Sequence, residues 1–219
     1  MEISENIKKH IEELGEKVSL VAISKTKPES DLMEAYQAGQ RVFGENKIQE
    51  MAEKWENLPK DIQWHMVGHV QRNKVKYMAP FVTLIHAVDS LKLLKEINKE
   101  AEKNERIISC LLQIKIAEEE SKFGLEAEEA KEILASDEFI ELKNIQITGL
   151  MGMATNSDDE AKVRGEFDYL RSVYVDFKKK QPQFEVLSMG MSGDYKIAVS
   201  CGSNMVRIGS AIFGERNYN

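Results

Sequence analysis

Short runs of apolar residues recur along the chain, and each is followed by a stretch in which apolar residues repeat every three or four positions. The short runs are typical of buried strands, and the longer stretches are typical of amphipathic helices. This alternation indicates a parallel sheet built from βα units. We predict strands at residues 19–24, 41–43, 63–67, 83–86, 107–116, 145–151, 184–188 and 205–208.

The segments between these strands predict the helices. Helical periodicity covers residues 31–38, 49–56, 91–103, 126–135 and 159–180. Little chain follows the eighth strand, and the amphipathic segment 4–14 is available to cover the position of a final helix. Eight strands alternating with helices predict a closed (β/α)₈ TIM barrel as a single domain over residues 1–219. A doubly wound open sheet is the alternative, because one sequence does not reveal strand order.

Composition and charge limit the classes of function. The chain is 42% hydrophobic and 31% charged, as in ordinary globular proteins. Its formal charge of −7 argues against general binding to nucleic acid or membrane, so an anionic ligand must be held by local groups. No targeting peptide or membrane-spanning apolar run is evident, and we expect a cytoplasmic protein. Cys110 and Cys201 lie in apolar sequence and are predicted to be buried free thiols.

A barrel of this type carries its chemistry at the carboxyl ends of its strands. Lys25 follows the first predicted strand directly. Partial desolvation there favours the neutral amine, which is the form that attacks a carbonyl to make an imine. The alternative is a lysine at the strand edge whose aliphatic stem covers apolar surface. Lys27 is a weaker candidate, because Pro28 draws it into an extended turn.

Two segments rich in glycine and serine follow the last two strands, at residues 187–193 and 206–211. Barrels of this type often bind phosphate at this position through backbone N–H groups. Glycine permits close approach of the backbone, and Ser192 and Ser210 add hydroxyl groups, although both residue types are also common in turns. Arg207 lies inside an apolar strand, where it requires a core carboxylate or a ligand.

Other polar residues predict structure rather than chemistry. His65 and His86 lie within predicted strands, and we interpret both as hydrogen-bonded core histidines. Met51, Trp55 and Leu58 form an apolar stripe that predicts core packing. No spacing of residues indicates a metal site.

A set of motifs runs in order through nearly the whole chain. They are segments 21–28, 43–46, 64–68 with Gln71, Asn73 and Lys74, 86–90, 120–124, 149–151, 187–192 and 205–214. Taken together, these motifs resemble those of the pyridoxal 5′-phosphate (PLP) homeostasis protein family.

The resemblance implies a fold, a cofactor and a site. The fold is that of the barrel domain of alanine racemase. In the family, the lysine matching Lys25 holds PLP as a Schiff base, the internal aldimine. The last two loops hold the phosphate, and the arginine matching Arg207 faces the pyridine nitrogen. The expected cofactor site comprises Lys25, Asn46, Met151, Ser188, Met191, Ser192, Arg207, Gly209 and Ser210.

Three residues depart from the usual family pattern. Lys47 replaces an uncharged residue, Lys115 replaces an asparagine, and Thr155 replaces a proline. None of these changes removes a group that the imine, the phosphate or the pyridine ring requires. The sequence assigns no role to Lys122, which follows the fifth strand.

An arginine facing the pyridine nitrogen keeps that nitrogen unprotonated, which weakens PLP as an electron sink. The sequence also suggests no second domain to supply an opposing base, as alanine racemase has. We therefore expect a monomeric PLP carrier that serves PLP homeostasis without turning over substrate, with apo-PLP enzymes as candidate partners. The alternatives are a PLP-dependent amino-acid racemase with a base inside the barrel, and a barrel enzyme acting on another phosphorylated metabolite without the cofactor.

Overall fold

The computed structural model describes residues 2–117 and 123–215. Its strands are parallel and close into a barrel in chain order, with the last strand paired to the first. This closure confirms the predicted (β/α)₈ barrel and excludes the open sheet. The strands are β1 (Ser19–Ile23), β2 (Val42–Glu45), β3 (Gln63–Met66), β4 (Leu84–Val88), β5 (Ile108–Gln113), β6 (Ile145–Met151), β7 (Val186–Met191) and β8 (Met205–Ile208).

Helices surround the barrel, and several begin at a side-chain cap. The Ser90 hydroxyl accepts from the Leu93 N–H at one helix start, and the Asp159 carboxylate accepts from two N–H groups at another. The described helices are α1 (Ile3–Leu14), α2 (Glu29–Gln37), α3 (Ile48–Asn57), α4 (Val75–Met78), α5 (Leu91–Lys103), α6 (Ala127–Ala135), α7 (Asp137–Ile140), α8 (Glu160–Lys180), α9 (Tyr195–Ser200) and α10 (Ser210–Phe213). No helix in the described ranges combines the length and apolar composition of a membrane span.

The leading helix α1 packs against α2 and α10. Its Ile7 is fully buried, and the Asn6 side chain donates to the Ile212 carbonyl oxygen at 3.0 Å. The short α10 and α1 together cover the position that a long final helix has in other barrels. This arrangement agrees with the interpretation of residues 4–14.

The apolar core has two parts. The larger part lies between the strands and the surrounding helices, and a smaller layer fills the barrel interior. The interior layer contains Val21, Leu84, Ala87, Leu111, Met151 and Met205. Cys110 and Cys201 are free and buried, as predicted. The strands therefore enclose a packed core, and a ligand of the barrel itself must bind at one of its ends.

Candidate functional site

The carboxyl ends of all eight strands meet at one end of the barrel, the mouth, because the strands are parallel. Lys25 lies there in a turn that follows β1. The turn is closed by a hydrogen bond from the Lys27 N–H to the Ser24 carbonyl oxygen at 3.1 Å, and the Ser24 N–H extends the ladder to Gly44. Lys25 is half-buried in this turn. Its position is the one that sequence reasoning expected.

The neighbouring lysine has a structural role. The Lys27 ammonium donates to the carbonyl oxygens of Phe213 at 2.7 Å and Glu215 at 3.1 Å. These contacts hold the end of α10 against the turn after β1. The Lys27 ammonium is therefore engaged by backbone carbonyl oxygens, while Lys122 lies outside the described residues.

Asn46 follows β2 and lies at the mouth beside β3. Its backbone approaches Gly68 so closely that a Cβ atom on Gly68 would lie 2.4 Å from the Asn46 carbonyl oxygen and 2.8 Å from its Cα. A side chain at position 68 would thus displace Asn46. The glycine sets the position of Asn46, which the family resemblance of segment 43–46 had placed in the expected site.

The loops after β7 and β8 meet at the mouth. The Ser192 hydroxyl oxygen accepts from the N–H of Gly209 at 3.2 Å and from the N–H of Ala211 at 3.5 Å. The Met191 N–H donates to Asp194 at 2.6 Å and fixes the turn that presents Ser192. Two backbone donors thus converge on one oxygen atom, which is the arrangement that an anionic oxygen requires.

The next residues of this loop fit the same geometry. Ser210 is exposed at the start of α10, beside the two converging N–H groups. A Cβ atom on Gly209 would lie 3.2 Å from the Ile23 carbonyl oxygen, so the loop is packed closely against β1. The structure therefore brings Ser192, Gly209 and Ser210 together next to the strand that leads to Lys25.

Arg207 is buried in β8, with 4% of its surface exposed. Its guanidinium donates to the Ser188 carbonyl oxygen at 2.9 Å, to the Ser188 hydroxyl at 2.7 Å and to the Gly152 carbonyl oxygen at 3.0 Å. Burial lowers the pKa of Arg207 to about 10, so it remains protonated at neutral pH. Within residues 2–117 and 123–215 no carboxylate forms an ion pair with it. Its hydrogen-bond partners are neutral, and the Asp194 carboxylate acts on it electrostatically and raises its pKa against the larger effect of burial.

A chain of hydrogen bonds continues from Arg207 through the barrel interior. His86 Nδ1 lies 3.0 Å from the Ser188 hydroxyl, and His86 Nε2 lies 3.0 Å from His65 Nδ1. Burial lowers the pKa of His65 to about 3 and lowers that of His86 well below its ordinary value, with smaller effects from His65 and Arg207 on His86. Both rings are neutral, and both are core histidines as predicted.

The direction of this chain follows from its charged end. Arg207 is only a donor, so the Ser188 oxygen accepts from it and the Ser188 hydrogen is left for His86 Nδ1. His86 must then carry its hydrogen on Nε2 and donate it to His65. The chain therefore has one consistent set of tautomers.

The two remaining site residues lie deeper than the mouth. Met151 ends β6 and is fully buried in the interior layer. Ser188 is also fully buried, and Arg207 and His86 both use its hydroxyl. Ser188, predicted as a cofactor-site residue, holds Arg207 in place through its carbonyl oxygen and its hydroxyl.

The three residues that depart from the family pattern, Thr155, Lys47 and Lys115, make different contacts. Thr155 donates its N–H and its hydroxyl to the two carboxylate oxygens of buried Glu166, at 2.6 Å and 2.7 Å. A proline lacks the first of these donors. Lys47 is exposed immediately before α3, and the Lys115 N–H bonds the Leu125 carbonyl oxygen.

Sequence reasoning missed a buried lysine beside the Lys25 turn. The Lys54 ammonium donates to the Ser24 carbonyl oxygen, to Glu45 and to Glu50, at 2.8 Å in each case. The signal was present in α3, because Lys54 lies three residues after Met51 and four before Leu58, on the apolar stripe. A charge at such a position indicates a buried ion pair.

Comparisons with known proteins agree with this geometry. The alanine racemase N-terminal domain family matches residues 2–217. The pyridoxal phosphate homeostasis protein of Haemophilus influenzae is 39% identical over 208 residues, which cover 92% of this chain and 86% of that protein. Its counterpart in Aquifex aeolicus is 37% identical over 99% of this chain and 96% of that protein.

Two solved structures are similar to this chain in fold. The structure of PipY from Synechococcus elongatus with PLP bound has a TM-score of 0.87 and 32% identity, covering 97% of this chain and 100% of that chain. Alanine racemase from E. faecalis has a TM-score of 0.74 at 18% identity, and this chain covers 58% of it. The second likeness supports the fold alone.

Proposed function

Because the chain belongs to the pyridoxal phosphate homeostasis protein family, we propose that it binds PLP reversibly at the barrel mouth and regulates the supply of PLP without turning over substrate. PLP supplies an aldehyde, which Lys25 captures as a Schiff base, the internal aldimine, with loss of water. The phosphate takes the backbone N–H groups at Gly209 and Ala211, and Arg207 meets the pyridine nitrogen.

The observation that carries the proposal is the buried charge of Arg207. Burying a guanidinium is costly, and here its hydrogen-bond partners in the described chain are two carbonyl oxygens and a hydroxyl, while Asp194 acts on it electrostatically without an ion pair. Such a charge suits a polar ligand rather than a salt bridge. The two N–H groups held by Ser192 provide donors for an anion at the same mouth. The residues present therefore fit PLP.

The described side chains suit binding better than proton transfer at a substrate. Arg207 remains a donor, so it disfavours protonation of the ring nitrogen and leaves the ring a weak electron sink. Both histidines of the interior chain are neutral and buried, and they orient Ser188. These properties support a carrier, and they give neither histidine the role of racemase base.

The first experiment tests attachment at Lys25. Borohydride reduction of the PLP-loaded protein, followed by peptide mapping, is expected to place the adduct on Lys25. Lys25→Ala should lose the adduct and retain the barrel, whereas Lys27→Ala should retain the adduct. An adduct on Lys27 or Lys122 would show that the assignment is wrong.

The second experiment tests the phosphate site. Gly209→Leu places a side chain against the Ile23 carbonyl oxygen and among the converging N–H groups. Affinity for PLP should fall far more than affinity for pyridoxal, which has no phosphate. Equal losses for the two ligands would remove the phosphate role of this loop.

The third experiment separates a carrier from a racemase. The PLP-loaded protein is incubated with single-enantiomer amino acids and, separately, with an apo-PLP enzyme whose recovery of activity is followed. We expect transfer of PLP without racemisation. Sustained racemisation at enzyme-like rates would contradict the carrier function.

A further inference from the structure

The turn that carries Lys25 has an unusual backbone. Thr26 has φ = 62°, a left-handed conformation that β-branched residues rarely adopt. It occupies the third position of the turn closed by the bond from the Lys27 N–H to the Ser24 carbonyl oxygen. Turns of this kind favour glycine at that position. Other contacts must therefore hold residues 24–27 in this conformation.

Hydrogen bonds from residues outside the turn fix its backbone on both sides of Lys25. On the side that follows it, the Thr26 N–H donates to the Glu50 carboxylate at 2.6 Å. On the side that precedes it, the Ser24 carbonyl oxygen accepts from the Lys54 ammonium at 2.8 Å, and the Ser24 hydroxyl donates to Glu45 at 2.6 Å. The backbone is thus fixed at both neighbours of Lys25.

The three charged groups form one buried cluster. Lys54 joins Glu45 and Glu50, with 7% of the Lys54 side chain and none of the Glu45 side chain exposed. The second Glu45 carboxylate oxygen, Oε2, is buried without a hydrogen-bond partner in the described chain. Buried ion clusters of this kind are seldom a gain in stability over apolar packing, and their best-attested benefit is a defined geometry.

We propose that Glu50 and Lys54 are positioning residues for Lys25: they hold the turn of residues 24–27 in the conformation that aims its amine at the aldehyde of the bound cofactor. This inference rests on the proposed function. Neither residue needs to touch the cofactor, because both act through the backbone on either side of Lys25.

The test compares PLP with 4′-deoxypyridoxine 5′-phosphate, which has the same ring and phosphate but no aldehyde. Glu50→Ala removes the acceptor of the Thr26 N–H, and Glu53→Ala removes an exposed carboxylate of the same helix as the matched control. We expect Glu50→Ala to weaken PLP binding about tenfold, as for one lost hydrogen bond to a charged group, and to leave the deoxy analogue unchanged. Glu53→Ala should change neither.

The outcomes separate positioning from general loosening. If Glu50→Ala lowers the affinity for both ligands equally, Glu50 only stabilises the mouth. If it lowers the affinity for neither ligand, the turn does not depend on Glu50. Each result overturns the inference. If the wild-type protein binds PLP no more tightly than the deoxy analogue, the Schiff base itself fails, and the proposed function falls together with the inference.

Rescue at Thr26 provides a second measurement. Glycine adopts positive φ without strain, so Thr26→Gly should restore part of the PLP affinity that Glu50→Ala loses. No rescue would show that Glu50 does not act through the backbone of the turn. Lys54→Met alone leaves Glu45 buried and unpaired, which threatens folding. The charge-balanced pair Lys54→Met and Glu45→Gln avoids this, and it should show the same selective loss for PLP.

Discussion

The neutral histidine pair inside the barrel should make the protein lose stability in mild acid. His65 and His86 are buried and bonded to each other, and the chain that they form ends at the protonated Arg207. A proton on either histidine would add a second positive charge that is removed from water and repelled by Arg207. The folded protein therefore excludes protons that the unfolded chain accepts.

The size of the effect follows from the shift at His65, whose pKa falls from 6.5 to about 3. Below the unfolded pKa the unfolded chain binds a proton that the folded chain does not, so the free energy of unfolding falls as pH falls from 6.5 towards 3. At about pH 5, His65 alone lowers that free energy by about 2 kcal/mol relative to neutral pH. His86 acts in the same direction, because burial also lowers its pKa.

Urea unfolding of the cofactor-free protein at about pH 7.5, 6 and 5 measures the effect. The useful quantity is the difference in pH dependence between wild type and His65→Asn, because other groups titrate in the same range. Burial raises the pKa of Glu45, for example, which stabilises the folded state as pH falls. His69→Asn is the matched control, because His69 is half-exposed at the mouth.

We expect the free energy of unfolding to fall less between about pH 7.5 and about pH 5 in His65→Asn than in wild type, by about 2 kcal/mol, and to fall as in wild type in His69→Asn. The reasoning is refuted if the free energy of unfolding of the wild type relative to His65→Asn stays constant over this range. That outcome would mean that His65 takes up a proton in the folded state, and the single set of tautomers proposed for the interior chain would be wrong.

Two further predictions concern single contacts and use the same unfolding assay. Gly68→Ala should destabilise the protein by about 1–3 kcal/mol, because its Cβ would lie 2.4 Å from the Asn46 carbonyl oxygen. As the control, Gly193→Ala should leave the free energy of unfolding nearly unchanged, because a Cβ there meets nothing within 4 Å. Thr155→Val should cost about 1.5–3 kcal/mol by removing the hydroxyl donor to Glu166, and Thr155→Pro should cost more because the N–H bond is also lost. A neutral Thr155→Val would show that the hydroxyl contact contributes nothing.

Much of the fold could be predicted from the sequence. The strands are buried on both faces and form apolar runs, whereas the helices are buried on one face and show helical periodicity. β6, β8 and α5 have the predicted bounds. β2 was predicted to end too early, because Gly44 and Glu45 do not resemble strand residues. Gly44 is required because a Cβ there would lie 2.6 Å from the Ile23 side chain, and Glu45 is paired with Lys54. Tertiary contacts, not local propensity, extend this strand.

The short helices could not be predicted from the periodicity of apolar residues. α4, α7, α9 and α10 have four to six residues each, which is too few for a helical pattern to repeat. β7 was placed two residues early at its start and extends to Met191 rather than to residue 188. The helix α10 matters most for the candidate site, because it begins where the N–H groups of Gly209 and Ala211 converge on Ser192.

The contents of the site were partly predictable. Closure of the barrel alone brings the ends of β1, β7 and β8 to one mouth, so Lys25 and the last two loops had to meet. The interior chain could not be predicted, because His86 and Ser188 are 102 residues apart and periodicity does not show which interior side chains share a layer. Lys54 was recognisable only as a charge on an apolar stripe.

The two buried cations near the candidate site have different partners, and this difference bears on how the proposed ligand would be oriented. Lys54 lies between two carboxylates and is balanced. Arg207 donates its hydrogen bonds to neutral oxygens, and Asp194 acts on it electrostatically without forming an ion pair in the described chain. An anionic or electron-rich group is therefore favoured near β7 and β8, and an uncharged electrophile is favoured near Lys25. A phosphorylated pyridine aldehyde has both groups, at separate positions on one rigid ring, so the charge distribution of the mouth and the proposed ligand agree in their polarity.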